Sequence, residues 1–283
     1  AQDDAREFAH TPTPTAPADD FIKQGLEDIL SGDGLHRSFW ETQDVFIQVL
    51  VEKVDLREVF APVCQEYSIP IATSKGWSSK NQRGEILRRA AEWRLGKGIA
   101  PDDASKKPIL LYCGDFDPAG RQISAKLRKN LTDLEDANIR VGDEYYTGVT
   151  PDALEMEIHR FGLNKPFIDD NDLTWVDNLE TGSDNDTSLA DPSHSDHNKD
   201  YVQNWLDEIG VRKVEANALV TDPEAGRALL RDAVERYLTD DAEQRYEEIQ
   251  DESKKELLSK LSQLGIESEL EAAVQELEDG GDR

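Results

Sequence analysis

Cysteine is scarce in this chain: only Cys64 and Cys113 occur among 283 residues. Two thiols cannot build a disulfide framework or a thiolate metal cluster, so a reducing, cytoplasmic setting is the expectation. Long apolar runs are missing as well, since none approaches the ~18 residues a membrane helix needs, and the mean hydropathy is −0.67. The N-terminal stretch lacks the basic, apolar and small-residue order of a signal peptide. A membrane partner is not expected. Neither a Walker A sequence nor a Gly-x-Gly-x-x-Gly occurs, which argues against an ATPase on this chain. Cations are outnumbered, with 32 Lys and Arg against 60 Asp and Glu, a net charge of −28. The acid is spread over nearly every segment, and Arg slightly exceeds Lys, 17 against 15. That pattern fits a halophilic protein solvated in high salt. It opposes nucleic-acid binding unless local cations reverse it, because phosphate contacts depend on counterion release.

Residues 1–20, with Thr-Pro and Ala-Pro steps and little to bury, read as a mobile tail. A short amphipathic stretch from Phe21 to Leu30 stops at Ser31-Gly-Asp-Gly34. Val45 to Val51 is a β-branched run that suits a buried strand, and residues 54–67 read as a helix with Leu56, Val59, Phe60 and Val63 on one side. Ile69 to Thr73 predicts a second strand, and Ser78 or Ser79 can cap a helix through about Arg94. Lys107 to Tyr112 predicts a third strand, running into Cys113-Gly-Asp-Phe-Asp117, with Pro118 opening a helix to about Leu134. Ile139 to Gly148 supplies another strand, and Thr150-Pro151 another helix start. Strand and helix alternating in this way predict a parallel sheet with helices on both faces. Residues 165–200 hold ten acidic residues and few apolar ones, and read as an acidic surface insertion, ordered or disordered. A helix at about Tyr201 to Ile209 and a short strand at Val211 to Val214 follow. Asp222-Pro-Glu224 opens a helix, and apolar residues at helical spacing to Leu277 predict one or two amphipathic helices. The expected organisation is thus an α/β domain over 21–164 that ends at 201–222, an acidic insertion at 165–200, and a C-terminal helical extension over 223–283.

Functional groups of a parallel sheet belong at the carboxyl ends of its strands. Glu52 ends the first strand, and Asp115 and Asp117 end the third. Two carboxylates that close repel unless a cation lies between them. Oxygen donors without His or Cys select Mg²⁺, which keeps waters and leans on phosphate. A second reading stands beside this one: Asp115 as a turn residue and Asp117 as a helix cap. In the first reading the next helix also aims its N-terminal N–H groups at the site, which favours an anion.

Glu at the end of the first strand, then helix, strand, helix and a third strand ending in Asp-x-Asp, resembles the Toprim domain. The forms Val51-Glu-Lys53 and Gly114-Asp-Phe-Asp-Pro-Ala-Gly120 are similar to the branch containing the topoisomerase VI A subunit and the meiotic double-strand-break protein. Thr73-Ser-Lys-Gly-Trp-Ser78 falls where that branch has a Gly-containing loop. The resemblance implies that Asp115 and Asp117 bind Mg²⁺, and that Glu52 is a further ligand or the general acid/base in cleaving and rejoining DNA phosphodiester bonds. One departure stands out: about 44 residues precede the first strand, and they contain no tyrosine to act as nucleophile. The expectation is therefore a fragment, a subunit whose partner supplies the missing domain, or a Toprim nuclease that uses water. Tyr67, Tyr112, Tyr145, Tyr146, Tyr201, Tyr237 and Tyr246 read as core or surface aromatics.

Between Ser74 and Lys97 there are seven basic residues and two acidic ones, and Arg121, Lys126, Arg128 and Lys129 follow the Asp-x-Asp. This local reversal of charge makes DNA the expected partner, contacted through Lys53, Lys75, Lys80, Arg83 and Arg121. The alternative is a solvated helix face whose cations pair with nearby acids. Trp40, Trp77 and Trp93 could stack on bases, but packing is the simpler role. His194 and His197 with Asp196 read as a solvated loop, and Cys113 as a small buried residue. Two rival readings remain. One is a non-catalytic scaffold subunit bound to a protein partner, or to a second copy, through the 223–277 region. The other is a phosphatase-like use of Asp115 as nucleophile.

Overall fold

The structure, a computed structural model, describes residues 18–35, 37–74, 80–96, 106–180 and 187–280. The tail up to residue 17, Lys75 and Trp77 with their loop, and the helix cap at Ser78 or Ser79 lie outside the described residues. The chain divides into two units, residues 1–38 with 243–283 and residues 39–242. Helix α1 (Ala18–Ser31) belongs to the first.

In the second unit, β1 (Val45–Val51), α2 (Val54–Glu66), β2 (Ile71–Thr73), α3 (Lys80–Leu95) and β3 (Lys107–Cys113) follow one another. After β3 come α4 (Ile123–Thr132), β4 (Ile139–Val141), β5 (Glu144–Tyr146) and β6 (Glu157–Arg160). Helices α5 (Lys165–Asp170), α6 (Asp200–Glu208), α7 (Ala218–Thr221) and α8 (Pro223–Glu235) complete it. The main sheet has the order β2-β1-β3-β6, and every pairing in it is parallel. Residues 46–51 of β1 and 108–113 of β3 are buried throughout. That is why both strands read as mainly apolar runs, with Gln48 the buried polar exception in β1.

Alternate residues of a strand face opposite sides. Leu50, Leu110, Tyr112 and Ile158 share one cluster with Ile86, Leu87, Ala90 and Ala91 of α3 and Leu127 and Leu131 of α4. The other row, from Ile47, Val49 and Val51 to Ile109, Leu111 and Cys113, is buried too. There α2 touches β1 and β2 and packs on α8, whose Gly226 allows close approach to Val59. Helices thus cover both faces of the sheet, and the α/β class expected from the sequence holds.

Several elements differ from expectation. Ile139 to Gly148 is a separate antiparallel hairpin of β4 and β5, turned at Gly142 with φ 60°. The fourth strand of the main sheet is β6, in a segment expected to be helical. Thr150 does accept the Ala153 N–H, but the chain makes turns rather than a helix before β6. Within 165–200 the described residues are ordered and bury Ile168, Leu173, Leu179 and Leu189, so this acidic stretch carries its own apolar anchors. Residues 213 and 214 make isolated antiparallel bridges, Lys213 to Val176 and Val214 to Phe116, instead of a strand.

The first unit holds α1, α9 (Ala242–Leu264) and α10 (Glu267–Gly280). Lys23 pairs with Glu278 at 2.7 Å, linking α1 to α10, and Lys254 pairs with Asp33 at 2.9 Å. The amphipathic 21–30 stretch therefore groups with the C-terminal helices and not with the sheet. Among the described residues no helix is long and apolar enough to cross a membrane.

Candidate metal centre

The connection from β1 leads outward to β2, and the chain after β3 leads the other way to β6, so β1 and β3 flank the topological switch point. A crevice at the carboxyl ends of the strands is expected there. Val51 is paired with Cys113, so Glu52 and the Gly114–Asp117 loop leave the sheet side by side. The Glu52 N–H donates to the Cys113 carbonyl at 2.8 Å.

The Glu52 carboxylate folds over that loop, and its Oε2 accepts the Asp115 N–H at 2.9 Å and the Tyr112 hydroxyl at 3.3 Å. Gly114 makes this possible, since a Cβ there would lie 2.4 Å from Glu52 Oε2. Asp115 Oδ1 accepts the Ala216 N–H at 2.8 Å, while its Oδ2 lies 3.3 Å from the Lys53 ammonium. The Asp117 carboxylate accepts the Gly120 N–H, which is the capping role that competed with a ligand role in the sequence. Gly120 opens a short 3₁₀ turn, Gly120–Gln122, and α4 begins only at Ile123. The N-terminal N–H groups expected to aim at an anion are thus displaced by one turn, and the first is already taken by Asp117.

The carboxyls of Glu52 and Asp117 are both held above their ordinary values. Burial pushes Glu52 up, the Asp115 N–H pulls it partway back, and the charges of Asp115 and Asp117 add to the rise. Asp117 is raised by burial first and by Asp115 as well, with the Gly120 N–H opposing. Burial works against the Lys53 ammonium, but Asp115 and Glu52 outweigh it and raise its pKa. For both Glu52 and Asp117, burial and the Asp115 charge together outweigh the nearby cations and backbone N–H groups. Beside it lies a cleft of about 490 Å³ lined by Glu52, Lys53, Val54, Asp55, Ser74 and Asn217.

The donors are oxygens, the loop glycine leaves room for a carboxylate, and the Lys53 ammonium stands in as a cation. Oxygen donors of this kind suit Mg²⁺ in chemistry. Among the described residues, however, no three His, Cys, Asp or Glu side chains are gathered to hold an ion together. Binding would require the side chains to rearrange.

Two tethers carried no motif in the sequence. Arg160, at the end of β6, donates to the carbonyls of Leu163 at 2.6 Å, Asp115 at 3.0 Å and Gly114 at 3.2 Å. Its guanidinium also lies over the Phe116 ring. The 214–216 segment holds the loop from the other side, through the bridge of Val214 to Phe116 and the Ala216 N–H. Alternating charge along Glu157-Ile-His-Arg160 hid the first, and a backbone donor leaves no trace in sequence.

The basic residues are more engaged than their spacing implied. Arg121 makes a two-pronged contact with Glu208, at 2.6 and 2.9 Å, over the Trp205 ring. Arg83 donates to the Asn130 carbonyl at 2.7 Å, and its Nε is buried without a partner. Arg88 and Arg89 pair with Glu85, and Arg94 with Glu155. Arg88 and Arg89 are thus paired on the surface of α3 itself, while Arg94 and Arg83 reach partners outside the helix. Lys80 is exposed at the first position of α3 and lines a groove of about 330 Å³ with Arg88 and Arg140. Burial pushes the Cys64 and Cys113 thiols up to about 12, which leaves them protonated near neutral pH. His194 accepts the Asp196 N–H and His197 meets the Leu189 carbonyl, so both are engaged in the turns of their loop. Trp40 and Trp93 are buried against Phe46.

Comparison with family models, curated proteins and solved structures matches none of them to this chain.

Proposed function

We propose that the sheet unit is a Toprim-like domain that cleaves, or cleaves and rejoins, DNA phosphodiester bonds with Mg²⁺ held by Glu52, Asp115 and Asp117. The observation that carries this is the meeting of Glu52 with the Asp115–Asp117 loop at the switch point of a parallel sheet, with Glu52 and Asp117 raised first by burial and then by the charge of Asp115. When bound, the ion would stabilise charge on the scissile phosphate. Glu52 serves either as a third ligand, ionised, or as the group that gives a proton to a departing oxygen, and the upward push of burial on its pKa favours the second role. Lys53 and Lys80 are the described cations best placed for phosphates, and Lys75 follows Ser74 in the sequence. Arg121 would have to exchange Glu208 for a phosphate, and Arg83 would act from α3. A nucleophilic tyrosine, if one is used, would come from another domain or chain.

A second reading, a non-catalytic scaffold, is favoured by the ungathered carboxylates and by the amphipathic helices of the first unit. Supercoiled plasmid incubated with the protein in high KCl, with and without Mg²⁺, separates the two. The catalytic reading expects Mg²⁺-dependent nicking or relaxation that Asp115→Ala and Asp117→Ala abolish. A wild type that leaves the plasmid intact, and shows no Mg²⁺ binding that either substitution removes, leaves the scaffold reading standing.

A further inference from the structure

Helix α1 is amphipathic in sequence, with Ile22, Leu26 and Ile29 at helical spacing and Phe21 beside them, yet none of its residues is buried. Phe21 is 75% exposed and Ile22 49%. Helix α10, which packs on α1, repeats the pattern: Leu270, Ala273, Val274 and Leu277 recur at helical spacing and are only half-buried. Short helices draw most of their stability from packing an apolar stripe, so two stripes this open to water lack part of their cover. The two helices line a groove of about 440 Å³ with the apolar Ile22, Leu26, Ala273 and Leu277 and the acidic Asp19 and Glu276.

Charge decides what suits that groove. Four acidic residues in α1 and six in α10 stand against one lysine, Lys23, which already pairs with Glu278 at 2.7 Å and Glu27 at 3.7 Å. The pair of helices thus carries about one net negative charge for every three residues, against about one in ten for the whole chain, so a salt-adapted surface does not account for the density. A second copy would bring the same acids to the same place. Lysine or arginine flanking an apolar stripe would instead meet charge of the opposite sign.

We propose that the groove between α1 and α10 is a docking site for a basic amphipathic helix of a partner protein. The partner's leucine or isoleucine side chains fill the apolar groove, and its cations meet Asp19 and Glu276. This inference depends on neither reading of the sheet unit and on no metal.

Anisotropy of a labelled Leu/Lys amphipathic peptide about as long as α1, titrated with the full chain at moderate KCl, tests it. A Leu/Glu peptide of the same pattern probes charge, and a scrambled Leu/Lys peptide probes the stripe; both should bind about tenfold more weakly or worse. Ile22→Asp, at an exposed position that the fold tolerates, should weaken binding of the Leu/Lys peptide about tenfold. Glu276→Lys, also exposed, should weaken it about threefold, and this loss alone should fade as KCl rises. The proposal is overturned by a Leu/Lys peptide that does not bind, by a scrambled peptide that binds equally, or by binding that neither substitution weakens in protein whose circular dichroism matches the wild type. A chain that sediments as a dimer broken by Ile22→Asp gives the groove to a second copy and overturns it as well.

Discussion

Gly114→Ala probes the geometry that brings Glu52 onto the acidic loop. The new Cβ would lie 2.4 Å from Glu52 Oε2, 2.5 Å from the Tyr112 hydroxyl and 2.8 Å from Tyr112 Cε1, where ordinary contact begins at 3.4 Å. Tyr112 is 4% exposed and packed in the α3 and α4 cluster, so its ring cannot yield. The carboxylate must then retreat by about 1 Å, which lengthens its 2.9 Å bond from the Asp115 N–H past hydrogen-bonding range. Losing a hydrogen bond to a charged group costs about 1.5–3 kcal/mol. Overpacking adds about 1–3 kcal/mol, and the stiffer unfolded chain returns about 0.4–1 kcal/mol. The net expectation is a loss of about 3 kcal/mol. All five tryptophans lie within residues 39–242, so tryptophan fluorescence during urea unfolding reports on the sheet unit alone. Gly84→Ala is the matched control, since its Cβ would meet only Ile139 Cδ1 at 3.6 Å. Ala is also favoured in a helix by about 1 kcal/mol, so this variant should hold or gain stability. A loss below about 1 kcal/mol in Gly114→Ala would refute the close seating of Glu52 on the loop.

Other consequences can be measured on the same unit. Glu52 and Asp117 have raised folded-state pKa values, so each contributes stability that is present below its ordinary carboxylate range and lost as pH rises through the raised value. Glu52→Gln and Asp117→Asn should therefore gain on the wild type between about pH 4 and neutrality. A gap that stays constant with pH in urea melts would contradict the shifts. Arg160→Met removes three carbonyl contacts and should cost about 3 kcal/mol, with Arg160→Lys recovering part of it; a neutral Arg160→Met would show that the loop stands without this tether. Arg121→Ala loses the stack over Trp205 and should destabilise the unit by about 1 kcal/mol. If that variant binds DNA as well as the wild type does, Arg121 serves packing and not phosphate. Melting temperature should rise steeply between dilute and molar KCl if the charge of −28 is an adaptation to salt, and a flat profile would oppose that reading.

Strands buried on both faces announce themselves, which is why Val45–Val51 and Lys107–Cys113 were legible along with the acidic residues at their ends. Strand β6 was not, because Glu157-Ile-His-Arg160 lies on the sheet edge and only Ile158 of the four is buried. Its two end residues are spoken for by contacts no pattern encodes, Glu157 with Lys107 and Arg160 with the loop carbonyls. The β4–β5 hairpin carried a readable signal in Gly142-Asp143 between alternating residues, which a single long strand at Ile139–Gly148 passed over. Spacing also placed basic residues near the site without showing that Glu85, Glu155 and Glu208 pair with Arg88, Arg89, Arg94 and Arg121, since those acids lie on the same helix or far along the chain. The grouping of α1 with α9 and α10 depends on contacts across more than two hundred residues, such as Lys23 with Glu278.

The proposed divalent ion would bind where Glu52 meets the Asp115–Asp117 loop. Fe²⁺ substituted for Mg²⁺, with ascorbate and peroxide, generates hydroxyl radicals at the bound ion, and the backbone cuts locate it. The account predicts two families of fragments, from cuts near Glu52 and near Asp115–Asp117, both suppressed by excess Mg²⁺ and absent in Asp115→Asn. Cuts clustered elsewhere, at His194–His197 for instance, or no localised cutting at all, would contradict it.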